Sequence, residues 1–179
     1  VPHSLGVAPE MMWVKNRTSA VDWKVRLPSI LGDFDLVLNT TAGKGADATI
    51  GTFTESSFTL NSSSNFSNRS GEDYIAYLFA SVPGISKVGS YTGNGGSAQG
   101  IDCGFTAGAR VVLIKRTNST GDWHFVTIAA DNNSKSICLN TTDAEVIKNQ
   151  VRSWPAGFRV ISDPDLNIDG AEYIFYAIA

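Results

Sequence analysis

The chain has 179 residues, a formal net charge of -3 and a pI near 5.3. This charge balance offers no basic surface for a phosphate backbone, so we expect no nucleic acid as a partner. No apolar run approaches the roughly 20 residues that a bilayer span requires, and we expect no membrane insertion either. The length suffices for one large domain or two small ones.

Short apolar runs, rich in β-branched and aromatic residues, are separated by Gly, Asn, Ser, Asp and Pro along the chain. This pattern is typical of an antiparallel β-sandwich, so we predict an all-β fold. The closing run of each half is apolar on both faces, which predicts a strand in the middle of a sheet. The predicted strands cover residues 11–15, 23–26, 36–38, 58–60, 74–80, 88–95 including a turn, 111–115, 123–128, 137–139, 158–161 and 173–178.

One segment, residues 142–150, has a helix signal, because Thr142 could cap it and Glu145 could complete a capping box. Residues 42–45 occupy the same place in the first half and cannot form a comparable helix. We therefore predict a short helix that is an addition to the framework. The glycine-rich residues 93–96 precede no helix that could bind a phosphate, and we predict a hairpin turn there.

Residues 71–80 return at residues 170–179 in the pattern GxxYIxYxxA. Repeated landmarks in the same order indicate an internal duplication, so we predict two tandem homologous units, residues 1–83 and 84–179. The other landmarks, about a hundred residues apart, are Lys15 and Lys115, Asp22-Trp23 and Asp122-Trp123, Phe58 and Phe158, and residues 38–41 and 139–142.

The two predicted units differ at their beginnings. The second begins with the strand predicted at residues 88–95, whereas the first has almost no matching segment before Gly6. We therefore expect the chain to be a fragment of a longer polypeptide, with residues preceding Val1, or its first edge to be completed by another chain.

The sequence offers little material for catalysis. His3 lies at the start of the chain, and His124 lies within a predicted strand. The carboxylate pairs Asp33 with Asp35 and Asp163 with Asp165 raise a glycosidase as an alternative, but they lie in turn-rich segments that do not mark a cleft. We predict no catalytic residue, no cofactor and no enzymatic activity. Of the two cysteines, Cys103 and Cys138, we expect both to be small buried hydrophobes.

The loop of residues 163–172 carries alternating oxygen ligands, as calcium loops do. It departs from the EF-hand pattern because Ile168 occupies the place of the required glycine and Glu172 arrives too early. We therefore favour an Asx-rich turn without a metal. The alternative calcium ligands are Asp163, Asp165, Asn167 and Asp169.

Several charged and aromatic residues recur around the predicted turns and are expected at the surface. The tryptophans among them could stack on a sugar, although a tryptophan that begins a sandwich strand more often fills the core. The loops at residues 61–70 and 93–99 are the segments available for glycan recognition. The recurring residues are Lys15, Arg17, Trp23, Lys115, Arg116 and Trp123.

Nearly the whole chain resembles a β-rich family of uncharacterised function found in large structural proteins of tailed, often marine, bacteriophages. The segments that carry the resemblance are residues 6–17, 38–41, 71–80, 89–95 and 114–123.

The resemblance implies a concanavalin-like, lectin-like or jelly-roll-like sandwich in a non-enzymatic virion component, such as a fibre, tail or capsid-surface protein. On this view the protein lies at the phage particle surface, its partners are other virion proteins and further copies of itself, and it contributes to host attachment. The alternative is a carbohydrate-binding, lectin-like module for host cell-surface glycans. No site residue carries over from the family.

Overall fold

The protein is described by a computed structural model for residues 1–46, 50–60, 66–131 and 133–179. These residues form two compact units, Val1–Ala80 and Ser81–Ala179. All strand pairings in these ranges are antiparallel, and their single helix has four residues. The all-β prediction is therefore confirmed. No helix in the described ranges is long and apolar enough to cross a bilayer.

The first unit contains two antiparallel sheets. One has the order β4-β3-β2-β1-β7, and the other pairs β5 with β6. Met12 and Val14 of β1 pack against Phe58 of β6, so the two sheets share a core. The elements are β1 (Met11–Asn16), β2 (Lys24–Arg26), α1 (Pro28–Leu31), β3 (Phe34–Val37), β4 (Gly45–Ala46), β5 (Ile50–Phe53), β6 (Phe58–Leu60) and β7 (Tyr74–Phe79).

The second unit also has two sheets with a core between them, which makes it a sandwich. Its strands are β8 (Ser86–Thr92), β9 (Ala98–Asp102), β10 (Val111–Arg116), β11 (Trp123–Ile128), β12 (Ser134–Cys138), β13 (Val146–Ile147), β14 (Val151–Trp154), β15 (Gly157–Ile161) and β16 (Glu172–Ile178). One sheet has the order β13-β12-β11-β10-β16-β8, and the other has the order β14-β15-β9. Ile114 of the first sheet and Phe158 of the second belong to the same buried cluster.

The two units share strand order and register. The order β4-β3-β2-β1-β7 corresponds to β13-β12-β11-β10-β16, and only the second unit adds β8 among the described residues. A duplication as the origin of this correspondence stays a prediction, as does the subtype of the sandwich. Corresponding cross-strand pairs are Lys15 with Ile75 and Lys115 with Ile174, Val14 with Lys24 and Ile114 with His124, and Lys24 with Val37 and His124 with Cys138.

The helix predicted at residues 142–150 is wrong, because this segment contains β13. Val146 pairs with Ser136, and the Ser134 hydroxyl donates a hydrogen bond of 2.7 Å to the Lys148 carbonyl. Sheet pairing thus overrides the local capping signal, as tertiary context commonly does. Since β13 and β4 occupy the same position in their sheets, the segment belongs to the framework.

The hairpin turn predicted at residues 93–96 is also wrong. β8 pairs with β16, whereas β9 pairs with β15, so these residues connect two different sheets. The connection passes close to the loop that precedes β16. A Cβ atom at Gly93 would lie 2.2 Å from the Ile168 carbonyl oxygen, so this approach requires glycine.

Candidate functional site

The closing strands of the two units have different surroundings. β16 lies between β10 and β8, and its Ile174 is 2% exposed. β7 is the last strand of its sheet in the described ranges, and its Ile75 and Tyr77 are 37% and 45% exposed. The predicted position in the middle of a sheet is therefore confirmed for β16 and wrong for β7. An edge that exposes apolar side chains is a template for pairing with another strand.

In the second unit, the half-buried Tyr91 of β8 packs against the core beside β16. The Tyr91 ring stacks on that of Tyr173, with centroids 4.8 Å apart and planes inclined by 9°. The rings of Phe158 and Phe175 lie 6.4 Å from it. The Tyr91 hydroxyl donates a hydrogen bond of 2.8 Å to the Leu166 carbonyl. Burial raises the pKa of Tyr91 well above its usual value, so the side chain is neutral.

In the first unit, the corresponding place contains a cavity of about 260 Å³, which we call the β7 cavity. Cavities of about 150 Å³ already admit a benzene ring. The β7 cavity is therefore large enough for an aromatic side chain. Its lining includes Val14, Phe58, Leu60, Ser67, Tyr74 and Ala76.

Hydrogen bonds support the correspondence between Tyr74 and Tyr173. The Tyr74 hydroxyl accepts a hydrogen bond of 3.0 Å from the Arg69 backbone N–H, and the Tyr173 hydroxyl accepts one of 3.2 Å from that of Ile168. Both donors lie five residues before the tyrosine. Each tyrosine therefore accepts the same backbone N–H of the loop before its closing strand, although the Tyr74 hydroxyl donates to Glu72 and the Tyr173 hydroxyl to the Asp165 carbonyl.

Asn39 and Asn140 occupy equivalent positions just after β3 and β12. Each side-chain oxygen accepts a tryptophan backbone N–H, at 3.0 Å and 2.7 Å, and each side-chain amide donates to an aspartate, at 2.8 Å and 2.7 Å. These repeated residues therefore stabilise turns. Their partners are Trp23 and Asp22 in the first unit and Trp123 and Asp122 in the second.

The prediction that Lys115 lies at the surface is wrong. The residue is 0% exposed, and its ammonium group donates a hydrogen bond of 2.6 Å to the Gly121 carbonyl. Burial lowers the pKa of Lys115 from its usual value of 10.5 to about 8, although nearby Asp122 opposes the change. Lys15 makes the equivalent bond to the Val21 carbonyl but is only half-buried.

Asp122, His124 and Cys138 form a cluster that no motif in the sequence indicates. One potential ligand atom of each lies within 4.8 Å of the others. His124 and Cys138 are direct neighbours across β11 and β12. Zinc accepts carboxylate, imidazole and thiolate ligands, so these three groups could hold a divalent cation.

The surroundings of this cluster keep its nitrogen and sulfur groups uncharged. Burial lowers the pKa of His124 and raises the pKa of Cys138. A neutral thiol is a poor nucleophile, so Cys138 is not an activated cysteine. Cys103 is buried as predicted, whereas Cys138 is only half-buried.

The loop of residues 163–172, for which calcium was the alternative to an Asx-rich turn, uses its polar groups within the protein. The Asp163 carboxylate accepts a hydrogen bond of 2.8 Å from the Asp165 backbone N–H, which forms the predicted Asx turn. The Asn167 amide donates one of 3.0 Å to the Asn94 side chain. Asp165 and Asp169 are exposed. The structure therefore gives Asp163 and Asn167 roles in holding the loop.

The first carboxylate pair lies beside one guanidinium group. Arg26 contacts Asp35 at 3.1 Å and Asp33 at 3.7 Å. The Asp35 side chain is 1% exposed and that of Asp33 is 91% exposed. A cavity of about 590 Å³ adjoins Arg26 and Asp33. Since Arg26 neutralises the buried Asp35, we interpret this carboxylate as a structural ion-pair partner.

The two loops expected to be available for glycan recognition are residues 61–70 and 93–99. Residues 61–65 of the first loop lie outside the described residues. The second is anchored by Asn167, whose side chain accepts the Asn94 N–H at 3.0 Å and whose carbonyl accepts the Gly95 N–H at 3.0 Å.

The sequence matches a family described as a domain of unknown function, DUF7483, over residues 1–179. The chain belongs to this family. No curated protein and no solved structure shows a significant match to it.

Two features of this DUF7483 domain left only a weak signal in the sequence. The His124–Cys138 neighbours replace Lys24 and Val37 of the first unit, and a paired change at cross-strand positions could have indicated a contact. At the β7 cavity, Ala76 stands where the second unit has the larger Phe175, a change of side-chain size at matched positions. Neither feature could be located before the strand register was known.

Proposed function

We propose that this domain is a non-enzymatic structural module of a tailed-bacteriophage virion, located at the particle surface in a fibre, tail or capsid appendage. The observation that supports this proposal is the exposed apolar edge of β7. Strand addition at a sheet edge combines backbone hydrogen bonds with pockets for side chains, and it joins polypeptides without a dedicated catalytic site. The partners are other virion proteins and further copies of the chain.

Immunogold electron microscopy tests the location. Antibodies raised against the purified chain are applied to particles of a tailed phage whose genome encodes it, and to particles of a deletion mutant as the control. We expect gold on the surface of the first particles alone. Chain detected in the infected lysate but neither on nor in purified particles would contradict a virion role.

A second candidate function is recognition of host cell-surface glycans. The observation that favours it is an aromatic pair in the first unit: Trp23 stacks on Tyr77 at 6.1 Å, and Tyr77 is 45% exposed. Aromatic faces bind the apolar faces of sugar rings. A glycan array with the purified chain, and with Tyr77→Ala beside it, tests this function. Binding to no glycan, or equal binding by both proteins, would exclude this aromatic pair as a sugar site.

A further inference from the structure

We propose that the second unit binds a zinc ion through Asp122, His124 and Cys138, and that Gln150 holds the His124 ring in place for it. This inference is independent of the proposed virion role. The ion would join the start of β11 and the end of β12 to the segment before β14, and it would thereby link the two sheets of the sandwich.

The strand register brings the three ligands together. His124 of β11 lies directly opposite Cys138 of β12, so their side chains share a face of the sheet. Asp122 precedes His124 by two residues, the spacing that returns a side chain to the same face of an extended chain. One potential ligand atom of each residue lies within 4.8 Å of the others. Tetrahedral zinc, with bonds of about 2.0–2.3 Å, holds its ligand atoms about 3.5 Å apart, so side-chain rotations would complete the site.

The chemistry of the ligands indicates zinc. Zinc accepts carboxylate, imidazole and thiolate ligands together, whereas calcium and magnesium prefer oxygen ligands alone. Three protein ligands leave the fourth tetrahedral position for water, and water can reach it because Asp122 and Cys138 are only half-buried. The metal would displace the thiol proton of Cys138, which passes to the solvent.

Gln150 provides an observation that is separate from the three ligands. It is 4% exposed, and its Oε1 has no hydrogen-bond partner among the described residues. Its side-chain nitrogen lies 3.4 Å from His124 Nδ1. A histidine that binds zinc through Nε2 carries a proton on Nδ1 and donates it in a hydrogen bond to an oxygen. A half-turn of the Gln150 carboxamide would bring Oε1 to this proton, so metal binding would give the buried oxygen its missing partner.

The Asp122 carboxylate is already oriented by a hydrogen bond. Its Oδ1 accepts the Asn140 side-chain amide at 2.7 Å, and Oδ2 would bind the metal. Hydrogen bonds of this kind commonly orient the carboxylates that bind metals.

The charges around His124 also favour a cation. The groups that act on this side chain are the carboxylates of Asp122, Asp163 and Asp165 and the ammonium of Lys148. Lys148 is itself paired with Asp163 at 3.8 Å and with Asp165 at 3.4 Å. Three negative groups thus outweigh one positive group, and the excess negative charge attracts a divalent cation.

The first unit offers no such site at the corresponding positions. Its cross-strand pair there is Lys24 with Val37, and an ammonium group and a hydrocarbon side chain give zinc no ligand. Asp22 still accepts the Asn39 amide at 2.8 Å, so this contact serves the turn in both units. The chain should therefore bind one zinc ion, and its first unit serves as an internal control.

Isothermal titration calorimetry of the metal-free full chain with Zn²⁺ tests the site. We expect saturable binding of one ion. Cys138→Val and His124→Lys introduce the residues of the first unit and should abolish this binding. His3→Gln removes the other histidine of the chain and should leave the binding unchanged.

Two substitutions test Gln150 as a positioning residue. Gln150→Leu keeps all three ligands and should weaken zinc binding by about tenfold or more. Gln150→Glu retains an oxygen acceptor for the Nδ1 proton and should restore the binding. Equal affinities of the leucine variant and the unaltered chain would overturn the role of Gln150.

Titration with Co²⁺ identifies the sulfur ligand. Cobalt bound to a thiolate has a sulfur-to-metal charge-transfer band in the near ultraviolet, which we expect in the unaltered chain and in Cys103→Ala but not in Cys138→Val. If Cys138→Val does not fold, as judged by circular dichroism, the bands of the first two proteins still decide. The absence of saturable zinc binding, its persistence in Cys138→Val, or cobalt binding without this band would overturn the inference.

Hydrogen exchange of the full chain shows which unit the ion stabilises. A ligand that binds only the folded state shifts the unfolding equilibrium by its concentration relative to the dissociation constant. At a free zinc concentration about a hundred times that constant, the most protected peptides of the second unit should exchange about a hundredfold more slowly. Slower exchange in the first unit alone would place the ion elsewhere and would overturn the inference.

Discussion

The two units share a framework, but their closing strands have different surroundings. In both, a tyrosine, an asparagine and a lysine at equivalent positions hold equivalent backbone groups. β16 is nevertheless covered by β8, while β7 lies at a sheet edge in the described ranges. The comparison teaches that local sequence specifies the fold of a strand, whereas a strand from elsewhere in the chain determines whether it is buried.

The largest expected difference concerns the tryptophans at the start of β11 and before β2. Trp123 is 0% exposed and Trp23 is half-buried. Trp123→Ala should destabilise the second unit by roughly 3–5 kcal/mol, and Trp23→Ala should cost the first unit about half of that or less. Hydrogen-exchange mass spectrometry measures the stability of each unit separately, from the exchange of peptides that belong to that unit. Equal losses would contradict a difference in packing.

The closing strands themselves give the next comparison. Ile174→Ala removes a side chain that is 2% exposed and should cost about 2–4 kcal/mol. Ile75→Ala removes one that is 37% exposed and should cost less than about 1 kcal/mol. The same exchange measurement applies. A comparable loss from Ile75→Ala would contradict the exposure of this side chain at the edge of the sheet.

Lys115 provides a prediction that depends on pH. Its folded-state pKa of about 8 lies below the usual 10.5, so between these values the unfolded chain binds more protons than the folded one. Stability of the second unit should therefore rise with pH across this window, by on the order of 3 kcal/mol. The Lys115→Met variant lacks this contribution, so its pH curve serves as the control for other groups that titrate in this window. Parallel pH curves from urea unfolding of the two proteins would refute the assignment.

The smallest expected effect concerns the turn asparagines. Asn140→Ala removes two hydrogen bonds from a half-buried turn and should cost about 1–2 kcal/mol. Asn39 makes the same bonds but is exposed, so water can replace them and the loss should be smaller. Exchange rates of the Trp23 and Trp123 backbone amides, measured by NMR, report these bonds directly. A larger effect at Asn39 would contradict this ranking.

The sequence predicted those parts of the fold that depend on local pattern. Alternating apolar and β-branched residues located β1, β10 and β11 closely. Of the two places that the sequence left open for Trp123, sugar-binding surface and core, the structure has the core. The failures are non-local. The helix signal at Thr142 and Glu145 lost to pairing between β13 and β12, and residues 93–96 join two sheets because β8 and β9 have different distant partners.

In the candidate sites, as in the fold, the features that the sequence did not predict depend on non-local contacts. Lys15 and Lys115 are the same residue type in similar sequence, so no local rule separates the half-buried side chain from the buried one. The β7 cavity depends on Ala76, which stands where the second unit has Phe175. The cavity can be interpreted only by comparison with the second unit, where Tyr91 occupies the corresponding place. The predicted absence of catalytic residues and cofactors stays a prediction.

The antiparallel pairing of β8 with β16 has a mechanical consequence. Ser86, where β8 begins, lies opposite Ile178, where β16 ends, so the first and last strands of this unit have these two ends side by side. Tension applied through these two points would load the ladder from one end and open its hydrogen bonds one after another. Under load the second unit would therefore peel apart at low force, whereas shear along the strands would load all of these bonds at once.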